Sequence, residues 1–512
     1  MMKPARHDMS DAPRPDRRIL PFETRELRAR RPCDQKLAAS SPRRPISGAR
    51  GYNMEDFFER ITWHMPDAHF DKPQHEETLR ILQDLIRIDT SNPPGNETAC
   101  CEYIRDIFAK EGIESEIIEG QESRGSIVAR LKGDGSAKPL MLTSHIDVVP
   151  ADASKWSVDP FGAEIRDGRL WGRGSIDTKN LTAVEMAIML EIKRRGVKLK
   201  RDLIFSAVAD EEQAGTWGMH YLVENHWDKI ACEYSINEGG GANVPLDGKN
   251  FYFVQTAEKG VGWYRIRTRG ESGHGSVPKP GNALVRMGKA LMRLSHPMPV
   301  TRTPVVDKFI TRLARGLNFP KNLAFPLVFN PVLSQTILNV ISTQDKQTAD
   351  MMSALLRDTI SPTMINAGYK ENVIPEVCEA VIDCRILPGQ THERFMAKVQ
   401  RLSGVDEIEM LTESVPDPTD SEPDTELFSV IAKNVSKHDP TGVTIPFMVT
   451  GATDSRFLRK KGVIAYGFCP MKSVIPPQEY VPTMHGVNEF FPLDSIPFSF
   501  DVLWDIVVDM CS

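Results

Sequence analysis

Acidic and imidazole side chains follow the ends of three apolar runs in this sequence. The run PLMLTS ends at His145, and Asp147 lies two residues further on. The run LIFSAVAD leads into Glu211 and Glu212, and the run YSIN leads into Glu238. Apolar runs of this length are typical of buried parallel strands, and open α/β sheets bind ligands at the carboxyl ends of such strands. We therefore expect these side chains to lie at one edge of a sheet.

Two further residues extend this set. Asp177, in WGRGSIDTKN, precedes a long helical pattern, and His485, in VPTMHGVNE, lies in a loop near the end of the chain. Taken singly, Asp177 is as readily a helix N-cap, a His-x-Asp pair is more often a surface pair, and adjacent glutamates are usually solvated. Together, imidazoles and carboxylates suit zinc, and a carboxylate that bridges two ions about 3.5 to 4 Å apart holds a two-metal site together. The set predicts two zinc ions and leaves Glu211 free to act as a general base.

The composition is that of a globular protein. The chain has 512 residues, of which 40% are hydrophobic and 26% charged, and its net charge is -6. One hydrophobic core rarely serves more than about 300 residues, so two folded units are expected. Without a run of about 18 apolar residues and with interspersed charges, the sequence predicts a soluble protein that binds neither membrane nor nucleic acid. Eight cysteines without a CxxC pair favour reduced thiols and a cytoplasmic location.

The first 53 residues are rich in arginine, proline and serine. Such a composition is typical of a disordered tail. An Arg-rich transit peptide is the alternative, but the acidic residues of this stretch, such as Asp8, Asp11 and Glu23, argue against it. Met54 is an alternative start.

Short apolar runs alternate with helical patterns from about residue 75, which predicts an α/β catalytic domain with a mostly parallel central sheet. From about residue 258 the order becomes strand, helix, strand, strand, helix, strand, which predicts a small inserted α+β domain. The α/β pattern then resumes. The predicted organisation is a basic tail and lead-in over residues 1–74, a catalytic domain formed by 75–257 and 416–512, and the inserted domain over 258–415.

A series of short motifs resembles one known family. In chain order these motifs are TSNPPGNE, SHIDVVP, GRGSIDTKN, DEEQAGTWG, NEGGG, GHGSVP, NVIP, DCRILPG, GATDSRF and MHG. Over residues 75–512 the chain is similar to the zinc aminoacylases, glutamate carboxypeptidases, acetylornithine deacetylases and succinyl-diaminopimelate desuccinylases. The resemblance implies a zinc-peptidase-like catalytic domain with an inserted lid and dimerisation domain. It also implies cleavage of an amide bond next to a free carboxylate, in an N-acyl amino acid or a short peptide.

The resemblance gives each residue of the predicted zinc site a role. The ligands of one ion correspond to His145, Asp177 and Glu238, and those of the other correspond to Asp177, Glu212 and His485. Asp177 would bridge the two ions, and the peptide bond that follows it is expected to be cis. Glu211 corresponds to the general base, and Asp147 orients His145. Cobalt or manganese in place of zinc stays open.

Residues of the inserted domain also match the family. His274, in GHGSVP, resembles a histidine that reaches the active site of a neighbouring subunit. Asn372 and Arg385 resemble residues that hold the carbonyl and the carboxylate of the substrate, and Arg456 resembles a second carboxylate clamp. The plain alternatives are a turn histidine and arginines in surface ion pairs. The resemblance therefore implies a homodimer, with a small N-acyl amino acid or peptide as substrate.

Two other functions stay open at this point. An aminopeptidase that acts on di- or tripeptides would need an acidic anchor for the substrate amine, instead of an arginine anchor for its carboxylate. A metal-free binding protein on the same fold is the other alternative, because a fold does not imply a function. The presence of all six central residues argues against this second alternative.

Overall fold

The computed structural model describes residues 70–344, 346–411 and 417–512. Most of the predicted tail, residues 1–69, lies outside the described residues. In the described part of the chain, no helix is both long and apolar enough to cross a membrane. The strands are β1 (Ser115–Gln121), β2 (Arg124–Leu131), β3 (Leu140–His145), β4 (Glu164–Arg166), β5 (Arg169–Trp171), β6 (Leu203–Val208), β7 (Tyr234–Asn237), β8 (Asn243–Leu246), β9 (Lys249–Glu258), β10 (Gly260–Arg269), β11 (Gly273–His274), β12 (Thr359–Ala367), β13 (Val373–Ile374), β14 (Val377–Ile386), β15 (Glu407–Met410), β16 (Thr419–Asp420), β17 (Gly442–Val449), β18 (Ile464–Gly467) and β19 (Phe490–Pro492). The helices are α1 (Pro73–Arg87), α2 (Glu97–Lys110), α3 (Lys179–Arg195), α4 (Met219–Asn225), α5 (Trp227–Ile230), α6 (Ala283–Leu294), α7 (Pro304–Gly316), α8 (Lys321–Ala324), α9 (Ser334–Gln344), α10 (Lys346–Leu355), α11 (His392–Ser403), α12 (Glu426–His438), α13 (Ser455–Lys460), α14 (Pro477–Tyr480) and α15 (Ile496–Cys511).

The larger of the two main sheets has ten strands. Its order is β1-β2-β6-β3-β7-β18-β9-β16, and β8 and β17 also pair with β9. The neighbouring strands β6, β3, β7 and β18 run parallel to one another. Strands β3 and β6 are buried along their whole length, as expected where helices cover both faces of a sheet. This arrangement confirms the predicted α/β fold with a mostly parallel central sheet.

Successive residues of β3 point to opposite faces of the sheet, and helices cover both faces. Leu142 packs in a core cluster with residues of α1, α3 and α15, whereas Met141 packs in a separate cluster with residues of α4 and α13. Helix α3 is largely buried and begins two residues after Asp177. The packing of its first turn therefore fixes the position of Asp177. Gly196 directly follows the helix as its C-cap, and its φ of 60° is the left-handed conformation that glycine readily adopts there.

The smaller main sheet has four antiparallel strands in the order β12-β14-β10-β15. Residues of β14 alternate between buried and half-buried, and its buried side chains pack against α6 and α11. Along the chain the elements follow in the order β10, α6, β12, β14, α11, β15. This is the strand and helix order that the sequence predicts for the inserted α+β unit. Strand β12 forms one edge of the sheet, and residues 361–366 in it are exposed.

Helices α7 to α10 lie within the predicted insertion, but α7 packs against the larger sheet, and α9 and α10 contribute residues to the same core cluster. Phe309 and Leu313 of α7 belong to one core cluster with Phe251 of β9 and Ile445 of β17. The chain therefore leaves the smaller sheet after α6, returns to the larger sheet, and re-enters the smaller sheet at β12. The boundaries at 258 and 415 stay a prediction, and the sequence analysis did not distinguish these helices from the rest of the insertion.

Candidate metal centre

The candidate site lies at the carboxyl ends of three neighbouring parallel strands. His145 is the last residue of β3, Glu238 directly follows β7, and a short 3-10 helix that begins at Glu211 follows β6. Because β3 pairs with both β6 and β7 in parallel, the ends of these strands meet at one edge of the sheet. The structure thus brings together the side chains that follow the three apolar runs.

Asp177 lies between two histidines. Its Oδ1 atom is 3.1 Å from Nε2 of His145, and its Oδ2 atom is 3.0 Å from Nε2 of His485. Nε2 of His485 is also 3.0 Å from Oε1 of Glu212. The peptide bond between Asp177 and Thr178 is cis, as the family resemblance implies. The two oxygens of one carboxylate therefore face two different sets of ligand atoms.

Two overlapping groups of side chains in this cluster could hold a metal ion. Ligand atoms of His145, Asp177 and Glu212 lie within 4.8 Å of one another, and so do those of His145, Glu211 and Glu238. In a tetrahedral zinc site with bonds of about 2.0 to 2.1 Å, neighbouring ligand atoms lie about 3.3 Å apart. The separations around Asp177 match this spacing, and imidazole with carboxylate is a ligand set that zinc accepts. The residues present therefore fit a zinc site.

Asp147 connects His145 to the loop that carries the two glutamates. Its Oδ1 and Oδ2 atoms accept hydrogen bonds of 3.1 Å from the backbone N–H groups of Glu211 and Glu212. Nδ1 of His145 lies 3.0 Å from the carbonyl oxygen of Asp147 and 3.5 Å from Oδ1. Burial disfavours the charged carboxylate, but the hydrogen bonds from His145, Asn92 and the backbone of Glu212 outweigh burial and lower the pKa of Asp147. Asp147 therefore fixes both the imidazole and the loop.

A buried network that the sequence analysis missed supports the same loop. Asp210 has a φ of 71°, and its carboxylate accepts hydrogen bonds from Nη2 of Arg124 at 2.7 Å, from Nδ2 of Asn92 at 3.3 Å and from the backbone of Trp217 at 2.9 Å. Arg124 also donates two bonds of 2.8 Å to Glu97. Asn92 and Glu97 belong to the TSNPPGNE motif, but the sequence analysis assigned no role to either residue. Arg124 lies in none of the motifs.

Glu211 stands close to both Glu238 and His145. Burial and the nearby carboxylate of Glu238 raise the pKa of Glu211 well above its usual range. A carboxylate with a raised pKa is a stronger base than an ordinary carboxylate, which favours the acceptance of a proton. The position of Glu211 is therefore suited to proton transfer as well as to metal binding.

Arg456 lies beside the glutamate loop and is largely buried, with 6% of its surface exposed. Its Nη2 atom donates to the carbonyl oxygen of Ala214 at 2.9 Å, and Nη1 donates to that of Thr453 at 3.2 Å. The neighbouring Asp454 is 2% exposed, and neither of its carboxylate oxygens has a hydrogen bond. Arg456 thus holds the loop after Glu212, while its Nε is buried without a partner.

The remaining candidate residues lie apart from this cluster. His274 is exposed on β11, with Nδ1 2.7 Å from Oγ of Ser276. Asn372 is also exposed, and its carbonyl oxygen accepts a hydrogen bond of 2.7 Å from the backbone of Gly275. Arg385, on β14, donates to Oδ1 of Asp383 at 2.8 Å. The structure brings His274 and Asn372 together, and none of their described contacts reaches the metal cluster of the same chain.

The comparison with family models gives one match. The model described as Peptidase family M20/M25/M40 matches residues 141–509. This range runs from β3 to α15 and contains all the candidate ligands, together with Glu211, His274, Asn372, Arg385 and Arg456.

Two curated relatives and one solved structure extend the match. The human N-fatty-acyl-amino acid synthase/hydrolase PM20D1 is 28% identical over 444 residues, which cover 82% of this chain and 85% of that protein. Aminoacylase-1 of Dictyostelium discoideum is 25% identical over 434 residues, which cover 81% of this chain and 93% of that protein. The crystal structure of the M20 family metallo-carboxypeptidase Sso-CP2 from Sulfolobus solfataricus has a TM-score of 0.61 at 16% identity, and the alignment covers 84% of this chain and 98% of that one. This structural likeness shows the fold.

Proposed function

Since this chain belongs to the M20/M25/M40 peptidase family and is a metal-dependent hydrolase, we propose that it uses two zinc ions to cleave the amide bond beside a free carboxylate. The substrate would be an N-acyl amino acid or a short peptide. One observation carries the proposal. The two oxygens of Asp177 face two different histidines, at 3.1 and 3.0 Å, which is the arrangement that a carboxylate bridging two ions requires.

The proposed ligands divide into two sets around Asp177. One set is His145, Asp177 and Glu238, and the other is Asp177, Glu212 and His485. When bound, zinc supplies Lewis-acid activation of a water molecule and of the scissile carbonyl group. Asp147 keeps the imidazole of His145 in the orientation that binding requires, since it holds the opposite nitrogen of the ring.

Glu211 performs the proposed proton transfers. It accepts a proton from the attacking water as the new carbon–oxygen bond forms, and it gives that proton to the nitrogen of the leaving amine as the carbon–nitrogen bond breaks. The hydrogen bond from its backbone N–H to Asp147 fixes the position of Glu211 relative to His145. Arg456 holds the other end of the same loop through Ala214.

The relatives support an N-acyl amino acid as the substrate class. One is named an N-fatty-acyl-amino acid synthase/hydrolase and another an aminoacylase. We assign the substrate carboxylate to Arg385, with Arg456 as the second candidate. A guanidinium group binds a carboxylate through two parallel hydrogen bonds, a geometry that lysine does not offer. Asn372 would hold the carbonyl group of the substrate.

The smaller sheet is proposed to form a homodimer. Edge strand β12 exposes Met364 and Ile365, which are 67% and 60% exposed, and α6 exposes Leu284 and Met292. An unpaired edge with apolar side chains favours pairing with a second copy of the same strand. In such a dimer His274 of one chain would serve the cluster of the other, and stabilise the negative charge that develops on the carbonyl oxygen. The cytoplasmic location likewise remains a proposal, supported by seven described cysteines that form no disulfide.

One observation favours aminopeptidase activity as a second candidate. Asp454 is a buried carboxylate without a hydrogen bond, beside the loop that carries Glu211. Burial raises its pKa to about 7. A substrate ammonium group would supply the missing partner.

A substrate panel separates the two activities. The purified, zinc-loaded protein is assayed with N-acetyl and N-oleoyl amino acids and with dipeptides that have a free amine. The proposal expects turnover of the N-acylated substrates and its loss when their carboxylate is amidated. Turnover restricted to substrates with a free amine, and abolished by Asp454→Asn, would establish the second candidate instead.

A further inference from the structure

A cavity of about 240 Å³ lies between the end of α6 and the segment that joins α10 to β12. Its lining includes Arg357, Ser353 and Ser361. None of the candidate metal ligands lines it, and neither do His274, Asn372 or Arg385. The cavity is therefore distinct from the centre to which the hydrolytic reaction is assigned.

Arg357 is a buried cation without an anionic partner. Only 7% of its surface is exposed, its Nε atom is buried without a hydrogen bond, and no described carboxylate forms an ion pair with it. Burial lowers the pKa of its guanidinium group. Two other buried arginines have carboxylate partners, in the pairs of Arg124 with Glu97 and Arg459 with Glu258, and the buried Arg456 donates to two backbone carbonyl groups. Burial of a charge is costly without a partner, and no described hydrogen bond or ion pair compensates the guanidinium group of Arg357.

Arg357 and Asp358 both line the cavity, but the charge of Asp358 is already balanced. Asp358, the next residue, is committed elsewhere, because its carboxylate accepts hydrogen bonds from Leu387, Gln390 and Lys398 at 2.8 to 3.0 Å. The ammonium group of Lys259 donates to the carbonyl oxygen of Arg357 at 2.6 Å and so lies close to the same segment. An anion in the cavity would meet one unpaired guanidinium group, with a second cation nearby.

We propose that this cavity binds a small oxyanion, a carboxylate or a phosphate group, through the guanidinium group of Arg357. Two N–H groups of a guanidinium match two oxygens of either anion, and the hydroxyl groups of Ser353 and Ser361 are available at the cavity wall. A volume of about 240 Å³ is sufficient for an anion with several non-hydrogen atoms. The walls of the cavity are the segments through which the chain leaves the smaller sheet and re-enters it.

The test measures binding of two anions to the zinc-loaded full-length protein and its Arg357→Met variant. Inorganic phosphate and acetate are titrated separately by calorimetry, and each is also followed by thermal unfolding. Phosphate that binds the metal centre would bind both proteins equally, so the difference between the proteins reports the cavity. We expect at least one of the two anions to bind the wild type at least tenfold more tightly than the variant, with a matching loss of the rise in Tm. The anion that shows the difference identifies which of the two groups, carboxylate or phosphate, the cavity binds.

Arg302→Met, which alters an exposed arginine outside the cavity lining, is the control and should bind both anions as the wild type does.

A second measurement separates a binding role from a structural one. Without added anion, Arg357→Met should have a Tm no lower than that of the wild type, because Arg357 has no partner to lose. In contrast, Arg124→Met loses its bonds to Glu97 and Asp210 and should unfold at a clearly lower temperature. Equal affinity of the wild type and Arg357→Met for both anions would overturn the proposal. So would a fall in Tm for Arg357→Met as large as that for Arg124→Met.

Discussion

The candidate metal cluster and the short two-stranded sheet of β11 and β13 are built in opposite ways. In the cluster, Asp147 is fully buried and binds the backbone of both glutamates, and Asp210 beneath it is held by three donors. In the two-stranded sheet of β11 and β13, His274 is exposed and contacts Ser276, and the exposed Asn372 contacts Gly275. The candidate ligands thus come together within one chain, whereas no described contact joins His274 or Asn372 to them. The proposed function assigns chemistry to the first region and substrate positioning to the second, and each prediction below tests one side of this division.

Removal of metal should have the largest effect. The proposed reaction depends on the ions to activate both the water molecule and the scissile carbonyl group. A chelator should therefore abolish activity, and about two zinc ions per chain should restore it. The measurement is activity against bound zinc determined by elemental analysis. Full activity with one tightly bound ion would contradict the two-ion assignment, and activity that survives complete chelation would contradict a metal site altogether.

Glu211→Gln tests the proton-transfer role within the cluster. The amide keeps the size of the side chain but cannot accept a proton, so turnover should fall about 100-fold or more. Zinc content should stay near that of the wild type, because Glu211 is not among the proposed ligands. Glu212→Gln is the matched variant, since this residue lies next in the chain and is a proposed ligand. It should lose zinc as well as activity. If the two variants lose equal amounts of zinc, Glu211 is a ligand.

Arg124→Met tests whether the buried network is needed to hold the glutamate loop. The change leaves Glu97 and Asp210 as buried carboxylates without their cation, and removal of one partner of such a pair costs about 3 to 5 kcal/mol of unfolding free energy. Turnover should fall about 10- to 100-fold, the usual cost of losing support behind a metal site, with KM nearly unchanged. Arg87→Met, which breaks an exposed ion pair with Asp84, is the control and should change the unfolding free energy by less than about 1 kcal/mol. A loss of stability in Arg124→Met with normal turnover of the folded fraction would limit the network to a structural role.

The sequence predicted the residues of the candidate metal cluster but not the buried network of Arg124 and Asp210 that holds the glutamate loop. His145 and Glu238 follow buried parallel strands, and the carboxyl ends of such strands meet at one edge, so local pattern alone brought them together. Arg124 and Asp210 are 86 residues apart, and nothing in the pattern around either residue specifies their hydrogen bond. The same limit applies to α7, whose periodicity shows which face is apolar but not that this face packs on β9 and β17. The two-sheet fold was predictable because strand and helix order is local information.

Complementation between two inactive variants tests the other side of the comparison, and its expected effect is the smallest. His274→Ala removes the exposed imidazole, and Glu211→Gln removes the base. If His274 acts on the neighbouring chain, a mixed dimer rebuilds one intact site from the unmutated His274 of one chain and the unmutated Glu211 of the other. Random pairing of equal amounts gives half mixed dimers with one intact site each, so activity should recover to about a quarter of the wild-type value. Coexpression with two affinity tags ensures that mixed dimers form, and sequential purification on both tags should raise recovery to about half.

Met364→Lys, which places a charge on the exposed β12 edge, should give monomers and prevent recovery. Activity of the doubly tagged dimer no higher than that of either parent would show that His274 does not serve its neighbour, and a fully active monomer would assign the whole reaction to the buried cluster alone.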